Sequence, residues 1–106
     1  MDGSGNVYIA DTADAAIKKW SASTQQVTTL VPGLNSPYGV AVDVSGNVYF
    51  ADSGNHAIKE WSASTQQVTT LAPGLNDPSG VAVDGSGNVY FADSGNGEIY
   101  EWIAST

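Results

Sequence analysis

Apolar positions along the chain gather in short runs, and Gly, Asn, Asp and Ser gather between them. In the middle of the sequence the runs are Gly39-Val40-Ala41-Val42-Asp43, Asn47 to Ala51, Ala57 to Trp61 and Gln67 to Leu71. Val, Thr, Tyr and Ile dominate them, which suits a pleated, half-buried surface better than a helix. Ala13 to Ala16 is too short to nucleate a helix. Within Val48-Tyr49-Phe50-Ala51 nearly every position is apolar, so this strand is expected to be buried on both faces. The separators Asp43-Val44-Ser45-Gly46-Asn47 and Asp52-Ser53-Gly54-Asn55 predict tight hairpins, with Gly and Asn taking positive φ. The longer connector Pro73-Gly74-Leu75-Asn76-Asp77-Pro78 carries two prolines that are expected to interrupt any ladder.

These runs repeat. Trp20, Trp61 and Trp102 are spaced by 41 residues, and Gly-Asn-Val-Tyr begins at Gly5, Gly46 and Gly87 with the same shift. Residues 2–42 and 43–83 differ at ten of 41 positions, which implies recent duplication or construction from one template. Four short strands every 41 residues is the length of a β-propeller blade, about 40 to 50 residues. The fold class predicted is therefore all-β, as blades of four antiparallel strands.

Gly-Val-Ala-Val-Asp, Gly-Asn-Val-Tyr-Phe-Ala-Asp, Ser-Gly-Asn-His-Ala-Ile-Lys and the Pro-Gly-Leu-Asn-x-Pro connector together resemble the NHL repeat, and the resemblance covers essentially the whole chain. It implies blades with strands lettered A to D outwards from a central channel, usually six to a ring, with variable binding surfaces. The 106 residues make about 2.6 such repeats of 41. On that alignment 1–106 is a single array: strands B to D of a first blade in residues 2–30, A to D of a second in 39–71, and A to C of a third in 80–106.

Such an array exposes a blade face at each end, and the two faces differ, so contact between copies would be head-to-tail and could close a ring. The expectation is a homo-oligomer, a six-bladed dimer being favoured, built from a designed or excised set of blades. Its interface is expected at Val7, Tyr8 and Ile9 on one end and Tyr100, Trp102 and Ile103 on the other. Tyr100 and Ile103 replace Lys59 and Ser62 of the preceding copy, either as adaptation to an edge or as drift.

Composition narrows the partners. A formal charge of −8 with three lysines and no arginine disfavours nucleic acid and anionic membrane surfaces. No run approaches the roughly 20 apolar residues of a membrane-spanning helix, and the first residues lack the pattern of a secretory signal, so the chain is expected to be soluble, in a compartment the sequence does not specify. The absence of cysteine excludes disulfides and thiolate metal sites.

Candidate chemistry is sparse. The resemblance brings to mind NHL-type lyases, which use several histidines, whereas His56 is the only one here. No nucleophile has a visible base and orienting partner, so no catalytic residues and no cofactor are expected. The repeated turn carboxylates Asp43 and Asp84 are weak Ca²⁺ candidates, since calcium takes six to eight oxygens. The competing reading is that each caps its own hairpin by accepting backbone N–H groups. The periodic tryptophans read as packing wedges rather than a stacking platform. The B-to-C and D-to-A loops, which share one face in propellers, vary most between copies. Tyr38, His56, Asp77 and Glu98 therefore mark a possible binding face for a protein or glycan.

Overall fold

A computed structural model describes residues 5–93, 95 and 97–102. They form ten strands: β1 (Val7–Asp11), β2 (Ala16–Ser21), β3 (Gln26–Val31), β4 (Pro37–Val42), β5 (Val48–Asp52), β6 (Ala57–Trp61), β7 (Val68–Ala72), β8 (Pro78–Val83), β9 (Val89–Asp93) and β10 (Glu98–Trp102). Within each sheet, strands adjacent in sequence pair antiparallel. The result is three separate sheets, β1-β2-β3, β4-β5-β6-β7 and β8-β9-β10. The all-β blade architecture expected from the 41-residue period is the one observed.

Register repeats with the sequence. Val48 pairs with Trp61 in the middle sheet, Val7 with Trp20 in the first and Val89 with Trp102 in the third. Irregularities recur as well: the β2/β3 ladder shifts between Ile17 and Lys18, and the β6/β7 ladder between Ile58 and Lys59. The prolines behave differently from expectation. Pro37 opens β4 opposite Asp52, and Pro78 opens β8 opposite Asp93, each just before a register shift. A first-position proline is tolerated because the ladder has not yet called on its missing N–H. The inner strands consequently begin two residues earlier than the apolar run suggests.

Turn chemistry also departs in detail. Gly46 (φ 87°) and Gly87 (φ 85°) take the left-handed region as expected of hairpin glycines, but no described asparagine does. The B-to-C turn of the middle sheet contains a single 3₁₀ turn, Ser53–Asn55, and closes on His56 in the left-handed conformation (φ 58°, ψ 41°). Ala15 and Gly97 hold that same place in the other copies with φ of 55° and 66°.

The core lies between the sheets. All five residues of β5 are buried, because its sheet has a neighbour on each side. Side chains alternate along it: Val48 and Phe50 point into a cluster with Ile17 and Val31 of the first sheet, while Tyr49 and Ala51 join Ile58 in a cluster with Val89 and Phe91 of the third. Trp61 packs on the first cluster and Trp102 on the second. Trp61 and Trp102 therefore act as the repeated wedges that the period implied. At the inner edge β4 and β8 approach so closely that a Cβ on Gly39 would lie 2.4 Å from the Ser79 carbonyl oxygen and 2.9 Å from Val81 N.

Candidate functional site

The B-to-C turns and D-to-A connectors share one edge of the stack because they are bonded to each other. Leu34 N–H donates to Ala15 O (2.8 Å) and Leu75 N–H to His56 O (2.9 Å), which ties each connector to the turn of its own blade. Gly54 N–H then donates to Asn35 O (2.7 Å) and Gly95 N–H to Asn76 O (2.8 Å), which ties the same connectors to the next blade. Thr12 Oγ1 and Ser53 Oγ complete the crossing by donating to the carbonyls of Pro37 and Pro78.

Asp52, fully buried, anchors this lattice in the middle blade. Its Oδ1 accepts the Asn35 N–H (2.8 Å), and its Oδ2 accepts Asn55 Nδ2 and Lys59 Nζ, both at 2.8 Å. Burial pushes the Asp52 carboxyl up, but Lys59, the Asn55 amide and the Asn35 N–H together outweigh it and hold the group below the usual carboxylate range. In the first blade Lys18 donates to Asp11 (2.7 Å) and to Asp14 (2.6 Å). The third blade places Tyr100 where Lys59 stands, and its ring packs on Phe91 with centroids 5.7 Å apart.

Tyr38, His56, Asp77 and Glu98 are all exposed on this edge. Tyr38 follows the Pro37–Asp52 pair, and Glu98 pairs with Asp93 at the start of β10. Glu98 Oε1 accepts the Tyr100 hydroxyl at 2.6 Å. A cavity of about 250 Å³ lies away from these four residues, on the outer side of the third sheet.

Asp43 and Asp84 sit at the A-to-B turns. Asp43 Oδ1 accepts the N–H groups of Ser45 and Asn47, both at 2.9 Å, and Oδ2 accepts Asn47 Nδ2 (3.1 Å) and the Tyr49 hydroxyl (2.9 Å). Asp84 repeats all four bonds with Ser86, Asn88 and Tyr90. The Asn88 N–H is the main cause holding the Asp84 carboxyl below its ordinary range. Tyr49 is pushed well up, first by burial and then by Asp43 and Glu60, and Tyr90 is pushed up to about 12 by Glu101 and Asp84. These carboxylates are fully used in capping their hairpins, and no cluster suited to a metal occurs among the described residues. Calcium raised to millimolar concentration is expected to leave the melting temperature unchanged; a stabilising shift would show that the ion displaces these donors.

The six residues expected at an interface between copies divide. Val7 and Ile9 face outwards from the first sheet, 39% and 38% exposed. Tyr8, Tyr100 and Trp102 point the other way, into the clusters against the middle sheet, because strand alternation sends successive residues to opposite faces. Ile103 lies outside the described residues. The outward residues of the third sheet are instead Tyr90 (37% exposed) and Ile99 (73%). Their buried counterparts one period earlier, Tyr49 and Ile58, carried the signal that would have found them.

Similarity to known proteins agrees with this geometry. No curated protein sequence matches the chain. Among solved structures, a chain of a nidogen/laminin complex is 29% identical with a TM-score of 0.77, over 86% of this chain and 36% of that one. A protein of unknown function from Bacteroides thetaiotaomicron is 16% identical with a TM-score of 0.79, over 92% of this chain and 32% of its own. A streptogramin B lyase is 14% identical with a TM-score of 0.74, over 98% and 39%. The last two likenesses concern the fold alone, and the chain spans between 32% and 39% of the length of the three. The model of the NHL repeat matches residues 34–61 and 75–99, half of the sequence in two successive copies, and the chain therefore belongs to the NHL repeat family.

Proposed function

We propose that this chain is a non-enzymatic NHL propeller module that closes its ring by self-association, with a six-bladed dimer as the favoured assembly. One observation carries the reading: the two end sheets turn apolar side chains to solvent at positions that are buried wherever a neighbouring blade exists. Val7 and Ile9 are exposed, whereas Val48 and Phe50 are 0% exposed; Ile99 is 73% exposed, whereas Ile58 is 0%. Apolar faces of this kind favour association, and two different faces on one chain associate head-to-tail. The close similarity of successive copies fits an array built from one template, by design or by duplication. Absence of catalysis is supported by the use of the site carboxylates: Asp43, Asp52 and Asp84 are spent on hairpins and blade crossings.

Sedimentation equilibrium at micromolar concentration tests the assembly. A species of twice the chain mass is expected, and a monomer across the accessible concentration range would overturn ring closure.

A second reading, a module that recognises a protein or glycan through the edge bearing Tyr38, His56, Asp77 and Glu98, is favoured by the 56% exposure of Tyr38 on an edge held rigid by the connector bonds. The 29%-identical relative was solved in a nidogen/laminin complex, which supports a binding role for this kind of scaffold.

A further inference from the structure

β3 and β7 are the outer strands of the first two sheets, and among the described residues each pairs on one side only, with β2 and β6. A strand at the edge of an antiparallel sheet turns the N–H and C=O groups of every second residue away from its partner. Gln26 to Thr29 and Val68 to Thr70 are exposed throughout, Val27 at 56% and Val68 at 41%. The ladder irregularities come later in each strand. Val27 to Thr29 stay in regular register with Trp20 to Lys18, and Val68 to Thr70 with Trp61 to Lys59. Neither strand carries a lysine, a proline or any charge, the features that keep exposed edges apart. The chain has three basic and eleven acidic residues, yet residues 20–42 and 61–76 hold none of them.

We infer that these outer edges pair with the same edge of a second copy of this chain, antiparallel, about a twofold axis through Thr28 or Thr69. Such an axis keeps each face of the sheet on its own side, so the residues that oppose one another lie an even number of positions apart. Thr69 then opposes its own copy and Val68 opposes Thr70; Thr28, Val27 and Thr29 repeat the arrangement. Thr–Thr and β-branched pairs of this kind stabilise antiparallel ladders. Charge selects the occupant. Copies carrying −8 each repel wherever their carboxylates face, and the uncharged edge is where two can meet at least electrostatic cost. A strongly charged strand would find no counter-charge there. The contact joins sheets side by side, whereas ring closure stacks their faces, so each can occur without the other.

Sedimentation velocity of the full chain in about 1 M NaCl, where the Debye length of about 3 Å screens the repulsion, tests the pairing. From about 10 µM to 1 mM, the weight-average mass is expected to rise above that of the dilute sample, with a Kd on the order of 100 µM to 1 mM for so short a contact. The rise should shrink at low salt. Amide exchange of residues 27–29 and 68–70 should slow several-fold in the concentrated sample, because outward N–H groups gain acceptors. Thr28→Lys with Thr69→Lys sets lysines directly opposite each other and is expected to weaken the association about tenfold or more, even though it makes the net charge less negative. Val44→Lys, at a position 93% exposed between β4 and β5, adds a charge away from the edge and should leave the association unchanged. A constant mass over this range would overturn the inference and leave the edge to a strand of other sequence. Equal growth in the two-lysine variant, or growth without slowed exchange, would overturn it too. The dilute sample separates this contact from ring closure: a monomer that grows removes the ring alone, and a dimer that does not grow removes the edge pairing alone.

Discussion

Phe50→Ala is expected to lower the free energy of unfolding by about 3 to 5 kcal/mol, a large part of the roughly 5 to 15 kcal/mol available to a domain of this size. Phe50 is the largest fully buried side chain, closed in by Ile17, Val31 and Val48 where the first sheet meets the middle one. Truncation removes its transfer free energy and leaves a cavity that two rigid sheets cannot collapse around. Ile9 holds the corresponding place in the first sheet and is 38% exposed, so Ile9→Ala should cost the isolated chain about 1 kcal/mol or less. Urea unfolding of both variants checks the contrast. Equal losses would mean that the first and middle sheets do not pack as described.

Asp52→Ala should cost about 3 kcal/mol, even though it removes only a small side chain. Three donors lose their acceptor at once: the Asn35 N–H, the Asn55 amide and the Lys59 ammonium, which is itself four-fifths buried. Asn35 and Asn55 are exposed and can turn to water, so most of the cost falls on Lys59, whose largely buried charge is left without its partner. Lys59→Met in the same background should recover part of the loss, because it removes the stranded charge.

The same carboxylate makes stability depend on pH. Its folded pKa lies below the unfolded value of about 3.9. Near and below that value the unfolded chain binds more protons than the folded one, so the stabilisation is complete at higher pH and is lost as pH falls from about 4 through the folded pKa. Asp11, lowered chiefly by Lys18, and Asp84, lowered chiefly by the Asn88 N–H, act in the same direction. Asp52→Asn should therefore flatten the acid limb of the stability profile, and an unchanged limb would show that Asp52 does not hold its proton balance as its surroundings imply.

Much of this was legible in the residues. Apolar runs and Gly/Asn/Asp/Ser clusters located every strand to within about two residues, and the 41-residue shift located the repeats, because hairpin chemistry is local. Hairpin capping by Asp43 was legible for the same reason, since its partners Ser45 and Asn47 lie within four residues. What escaped depends on contacts between blades. The role of Asp52 rests on Asn35, 17 residues away in the preceding connector. Which face Tyr8, Tyr100 and Trp102 occupy also rests on the neighbouring blade, because an apolar residue next to an exposed one in a strand lies on the opposite face.

By itself, then, the sequence determined the strands, their antiparallel order and the identity of each repeat, all of which follow from turn chemistry and period. Only the tertiary structure decided which of three nearly identical copies of a side chain is buried. Ile58 is 0% exposed and Ile99 is 73% exposed at the same place in the repeat. Burial is a property of the neighbouring blade, and the third sheet has an open groove where the middle one has β8.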